Sequence, residues 1–376
     1  MFGADANPYT RPGEWQVSIT SRNLVSNDHY NGGVEQVQRQ TLQNYVTNHQ
    51  NMVDLNVSRT ITDRLMVSVG IPYVNSSWAS RDPRFPLPAA RHEVEQNGRG
   101  LGDISVSGRY WLFDTRTHTR WNLSAGAGLK LPTGNSYEED FFVDSRGNDP
   151  QMRPVDQSVQ PGDSGWGVML EAAGFKRIKR VLAFGSGNYL LNAKNETSTP
   201  SLTMARLPAG TQPNPNQFDR LVNSVPDQYV ARLGASVAVW KGLGASLAWR
   251  IEGLPRYDVL GGSNGFRRPG KAMFVEPGVS YSHGNHTIVF NVPVGYFYHR
   301  YPDPNTELEG DATFPRQIFL TSYSVRFGKG RSAASPPPVA PVRPPTAEAA
   351  DVTASVRPVS DDTSSVVCPP MPVFIR

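Results

Sequence analysis

Residues 102–132 read GDISVSGRYWLFDTRTHTRWNLSAGAGLKLP. Ile104, Val106, Gly108, Tyr110 and Leu112 alternate with Asp103, Ser105, Ser107, Arg109 and Trp111. Past a polar turn, Trp121, Leu123, Ala125, Ala127, Leu129 and Leu131 alternate with Asn122, Ser124, Gly126, Gly128 and Lys130. A period of two puts each set on one face of a strand. The stretch is therefore a hairpin with one apolar face ending in aromatics and one face of Ser, Gly, Asn and single charges. A soluble sandwich would turn the polar face to water and the apolar face to a second sheet. An outer-membrane barrel would turn the apolar face to lipid and the polar face to the lumen. The rest of the chain decides between them.

The 376 residues have a mean hydropathy of −0.43 and 38% hydrophobic residues. No run approaches the ~20 apolar residues of a spanning helix. A barrel escapes that requirement because only alternate residues face lipid. The 34 Gly and 32 Pro argue for many turns, and the net charge of +4 is spread along the chain without a basic stripe, so no nucleic-acid partner is expected.

Twelve strand-like segments follow from the periodicity: 14–22, 50–61, 64–74, 102–113, 120–131, 164–176, 180–192, 228–240, 244–254, 271–282, 286–299 and 316–327. Most have the length of a tilted membrane strand, ~9–11 residues. The connections alternate long and short: 23–49, 75–101, 132–163, 193–227, 255–270 and 300–315 are long, and those between them are tight. Long loops on one side and tight turns on the other mark a bacterial outer-membrane barrel. With an even strand count, both termini belong on the short-turn, periplasmic side.

Aromatics fall near predicted strand ends (Trp15, Tyr73, Trp121, Trp166, Tyr229, Trp240, Tyr281, Tyr296, Tyr298 and Tyr323), where interfacial girdles belong. The last strand closes on Phe327, as does the signal read by barrel-insertion machinery. The polar phase carries Asp54, Arg109, Lys130, Glu171, Arg232, Arg250, Glu252, Glu276 and Arg326. Such charges would be costly in a dry sandwich core; in a lumen they are solvated or pair across the bore. Pro277 and Pro293 fall inside predicted strands and call for a bulge.

The ends differ from the middle. Ala4-Asp5-Ala6 has the small-x-small form of a signal-peptidase site, which is either a remnant or chance. From 328 to 376 the chain is Pro-rich and of polyproline-II or disordered character. The expected organisation is an N-terminal segment 1–13, a barrel 14–327 and a periplasmic tail 328–376. The tail reads first as a solvated spacer; its apolar end offers the alternative that 333–376 docks on an envelope partner or folds into the barrel mouth.

No motif supports catalysis. Gly162-Asp163-Ser164-Gly165 has the form of a protease nucleophile motif but opens a predicted strand with no base in view. The seven histidines are scattered; His283 and His286 share a turn without a further ligand. The acidic loop Glu138, Glu139, Asp140, Asp144 and Asp149 lacks calcium-loop spacing. No cofactor, metal or catalytic residue is assigned. The informative cluster spans Arg250 to Arg268: Arg250 and Glu252 in the lumen phase, Arg256 and Asp258 opening a loop, Arg267 and Arg268 closing it, and Glu276 returning inside. These charges are expected to form a network at the outer mouth that pins the loop inward, or further to act as a constriction filtering solutes by charge and size. With Arg109, Lys130, Glu171 and Arg232 they make the candidate lumen and constriction set.

Gly100-Leu-Gly-Asp-Ile-Ser-Val106, with Gly128-Leu-Lys-Leu-Pro-Thr-Gly134, resembles Gram-negative outer-membrane proteins catalogued under a meta-pathway of phenol degradation. Phe266-Arg-Arg-Pro-Gly270 with Val275-Glu-Pro-Gly-Val-Ser-Tyr281 resembles related barrels labelled as transporters. The resemblance covers about residues 100–327 and implies aromatic or hydrophobic solutes; it supplies no site residues. The expectation is an all-β protein in the bacterial outer membrane, a single 12-stranded antiparallel barrel with long extracellular loops, short turns and a Pro-rich tail. Twelve strands lie between filled eight-stranded barrels and open sixteen-stranded ones, so the lumen should be narrow and partly occluded. The expected function is passive, restricted passage of small solutes. The alternative is a closed scaffold barrel presenting loops and tail to partners.

Overall fold

The computed structural model describes residues 11–81, 93–142, 151–201, 221–304, 307 and 310–328. The cleavage-site reading, most of the tail with Cys368, His92, Asp144 and Asp149 lie outside the described residues.

Twelve antiparallel strands close into one barrel. They are β1 (Trp15–Asn31), β2 (Val46–Thr60), β3 (Leu65–Arg81), β4 (Glu93–Leu101 and Ser105–Trp111), β5 (Trp121–Lys130) and β6 (Gly167–Ile178). The second half is β7 (Val181–Asn192), β8 (Gln228–Trp240), β9 (Leu243–Leu254), β10 (Gly270–His283), β11 (His286–Asn291 and Val294–Arg300) and β12 (Asp311–Phe327). Each strand pairs with its sequence neighbours, and β12 returns to β1 from Trp15↔Phe327 to Asn31↔Asp311. Closure leaves no unpaired edge, which backbone groups in lipid require.

The alternation settles which face is which. Ile19, Val53, Val67, Val106, Leu129, Leu170, Leu233, Leu247, Val279, Phe290 and Phe319 are exposed on the outer wall. Ser18, Ser58, Asn122, Ser124, Lys130, Arg250 and Glu276 are buried inside. This inverts a soluble protein and fits a barrel whose solvent outside is hydrocarbon.

Several predicted boundaries move. β1 runs to Asn31 and β2 starts at Val46, so much of 23–49 is wall, and β3 with the upper half of β4 does the same for 75–101. These strands exceed the ~9–11 residues needed to cross and project beyond the membrane. The Gly162–Gly165 segment opens no strand: β6 starts at Gly167, and Ser164 sits at φ 57 in a loop, where Lys194 Nζ donates to its hydroxyl (2.8 Å).

The prolines sit at breaks in pairing. The lower half of β11 pairs with β10 at Gly278↔Asn291, and the upper half resumes at Val275↔Val294. Pro277 and Pro293 both fall in the gap, where Val292 N–H donates to Pro277 O (3.0 Å). A further bulge follows between the Met273 and Phe274 pairings. One extra residue shifts the phase of a strand, so Tyr296 stays outside (57% exposed) while Tyr298 turns inward (7%). Tyr298 is therefore no girdle residue; it packs with Leu24, Phe274, Ile318 and Leu320 inside the barrel.

Candidate functional site

The lumen is crossed by a belt of ion pairs. Arg232 and Arg250 are direct cross-strand neighbours on β8 and β9, an arrangement of like charges that is unfavourable alone. Glu276 on β10 answers both: it pairs with Arg232, and its other oxygen lies 3.7 Å from Arg250. Arg250 also donates through Nε and Nη2 to Glu252 at 2.9 and 2.6 Å, and Arg22 on β1 reaches Glu252 at 2.6 Å. The chain Arg232–Glu276–Arg250–Glu252–Arg22 thus runs from β8 across to β1. Arg250 and Glu276 are almost wholly buried, and pairing offsets the cost of taking these charges out of water.

Two further pairs sit on the other side of the bore. Arg109 on β4 donates to Glu171 on β6 (2.7 Å) across the side-chain-free Gly126 of β5. Lys130 pairs with Asp163 and lies 3.7 Å from Asp103. Asp103 accepts from Gly134 N–H (2.9 Å), and Thr133 Oγ1 donates to Gly102 O and accepts from Ile104 N–H (2.8 Å). The two halves of the Gly100–Val106 and Gly128–Gly134 resemblance motif therefore clasp each other at the break in β4 and fix the root of the β5–β6 loop.

That loop folds inward. Its short helical turn, Gln157–Val159, places Val155 and Val159 (1% and 0% exposed) against Trp78 of β3. Gly98 of β4 allows the approach, since a Cβ there would meet Val159 O at 2.0 Å. The tip then reaches round the bore. Ser158 Oγ donates to Asn48 of β2 (2.8 Å), Gln157 to Ser224 O (2.6 Å), and Asp156 N–H to Gln96 (3.1 Å). Arg268, from the β9–β10 loop, donates to both Asp156 oxygens at 2.8 and 2.6 Å.

The mouth charges resolve into separate pairs. Arg267, fully buried, donates to Asp258 and to Ser224 Oγ. Arg256 pairs with Glu307 and is half-exposed, not joined to Asp258. The single network expected from Arg250 to Glu276 is therefore two layers. Arg250 lies four residues below the rim of β9, roughly 13 Å at ~3.3 Å per residue, so it cannot reach the loop arginines.

Between belt and loop lies a chamber of about 820 Å³, within the ~300–1,000 Å³ of ligand sites. Arg22, Arg250 and Glu252 form its floor, and Gln157, Ser158, Gln160, Pro161, Gly162, Arg268 and Phe266 its roof. Its wall mixes Leu24, Met52, Trp78, Met169, Leu190, Ala272 and Phe314 with Asn48, Asn188, Gln228 and Thr313. Arg109, Glu171, Arg232 and Glu276 lie on the short-turn side of it.

The decisive residues missing from the sequence reading are Arg22, Asp103, Asp156, Asp163 and Arg300. Arg22 continues the polar phase of Ser18 and Thr20 and is the last residue of the predicted strand 14–22, so its place on the lumen face was legible though it was not named with the other lumen charges. Arg300 became an inward residue only through the β11 bulge; it donates to the carbonyls of Pro269 (2.8 Å) and Arg267 (3.2 Å). Asp156 lies in an aperiodic loop and gave no signal. Among the described residues no group of three or more His, Cys, Asp or Glu could hold a metal; His286 instead hydrogen-bonds Tyr323 (2.7 Å).

Among solved structures, the chain is similar to an outer membrane channel from Pseudomonas putida F1, with a TM-score of 0.57 and 13% identity over 86% of this chain and 99% of that one. The fold is that of an outer-membrane β-barrel. A toluene transporter from Ralstonia pickettii and a FadL homologue from Pseudomonas aeruginosa align at TM-scores of 0.41 and 0.40, with 11% and 8% identity. Each alignment covers 85% of this chain and 91% of the other. No family model and no curated protein matches the chain.

Proposed function

We propose that this barrel is a gated channel that passes small, largely apolar solutes one at a time through the chamber, with the ion-pair belt as its filter. The observation that carries this reading is the chamber itself: a space of about 820 Å³ with a mixed apolar and amide wall, bounded outward by a latched loop and inward by paired charges. A barrel serving only as a scaffold has no need of such a space. Trp78, Phe266 and Phe314 on its lining favour planar apolar solutes, and the motif resemblance to the phenol-degradation group supports an aromatic class. Passage requires the Asp156–Arg268 latch to open and the belt arginines to re-pair, so the channel is narrow and selective.

Single-channel recording in planar bilayers, with uptake of a neutral aromatic solute into proteoliposomes, tests the reading. Discrete small openings whose size changes in Glu252→Gln, together with solute uptake, are the expected result. Silence and no uptake in wild type and in Arg268→Ala alike would overturn it in favour of the closed scaffold.

A further inference from the structure

The outer wall over β5–β8 carries a recess that transport does not use. There Ala125 faces Ala172, Ala172 faces Gly187, Gly174 faces Gly185, and Gly187 faces Ala231. Leu112, Trp121 and Leu123 flank one side and Leu233 the other, around a hollow of about 810 Å³. Large side chains such as Ile19, Leu247 and Phe290 fill other parts of the lipid-facing wall.

The charge at the short-turn end of this hollow is unusual. Lys176 lines it, on the lipid-facing phase of β6 beside Trp121 and Ala183. The turn beyond it adds exposed Arg177, Lys179 and Arg180. The carboxylates of the neighbouring turns, Asp63 and Asp114, are engaged by Arg116. Lys176, Lys179 and Arg180 make no ion pair among the described residues. A lysine on a lipid-facing strand is tolerated where its stem lies along apolar wall and its head reaches the interface, and basic clusters at that depth attract anionic lipid.

We propose that the hollow over β5–β8 binds one anionic phospholipid of the periplasmic leaflet. An acyl chain lies over Ala172, Gly174, Gly185 and Gly187, and the phosphate meets Lys176, Lys179 and Arg180. A second copy of this chain fits the hollow poorly: a two-fold contact would set the same basic turn against itself. An anionic phospholipid satisfies both halves of the site at once, its acyl chain the apolar hollow and its phosphate the basic turn.

The test is native mass spectrometry of the full chain released from vesicles of phosphatidylcholine containing a minor fraction of phosphatidylglycerol. One retained phosphatidylglycerol is expected. The triple variant Lys176→Gln, Lys179→Gln, Arg180→Gln should lower its retention over phosphatidylcholine on the order of tenfold or more. Gly187→Leu fills the hollow, and its new Cβ meets nothing closer than 3.9 Å, so it should displace the lipid while the barrel stays folded by its heat-modifiable gel mobility. Equal retention of both lipids, no retained lipid in the wild type, or a dimer mass abolished by Gly187→Leu would each overturn the proposal.

Discussion

Arg268 grips both carboxylate oxygens of Asp156, at 2.8 and 2.6 Å, from a loop four strands away around the barrel. The pair ties the infolded β5–β6 loop to the root of β10. It acts on a carboxylate that is fully buried. Burial pushes the Asp156 carboxyl up, but the Arg268 charge, its hydrogen bonds and those of Ser158 together outweigh that and hold it at about 2.

A carboxylate held below its ordinary value contributes stability above that value, and the contribution is lost as pH falls through the lowered one. The latch should therefore be intact from neutral pH to about 4 and fail as pH approaches about 2. Channel closure recorded across this range checks it; a latch opening between pH 6 and 7 would contradict the geometry.

Asp156→Asn or Arg268→Ala should raise open probability. Loss of one partner of a buried pair costs about 3–5 kcal/mol, less here because Arg268 is 25% exposed. The double variant should open little more than either single one, since both remove the same interaction. A double-mutant cycle on open probability reads this directly.

Glu276→Gln leaves Arg232 and Arg250 facing each other without their shared counter-ion. The expected outcome is a barrel destabilised by about 3–5 kcal/mol and a lumen shifted toward anions. Urea unfolding in lipid vesicles and reversal potentials under a salt gradient measure the two effects.

Gly98→Ala places a methyl 2.0 Å from Val159 O, a contact with backbone that no rotamer relieves. The loop should be pushed from the wall, seen as protease cleavage within 151–163 and a larger conductance, while the strands stay paired.

Trp78→Ala removes the surface on which Val155 and Val159 pack. A buried Trp→Ala change costs about 3–5 kcal/mol. It falls on docking of the loop, so hydrogen exchange of residues 155–159 should rise more than that of β9 or β10.

Twelve strands, their order and which face meets lipid were legible in the sequence, because a period of two is a local property and each hairpin is closed by its own turn. The lumen phase of Arg109, Glu171, Arg232, Arg250, Glu252 and Glu276 followed from the same alternation. What alternation cannot contain is which charges meet: Arg22 finds Glu252 only because β12 closes on β1, bringing strands distant in the chain to one bore. Nor does it contain the bulge that turns Tyr298 and Arg300 inward, since one extra residue in β11 reverses every later position. The β5–β6 loop has no period at all. Its place inside the barrel is decided by Gly98, Trp78, Asn48 and Arg268, contributed by four other segments, and only closure of the barrel puts them around one point.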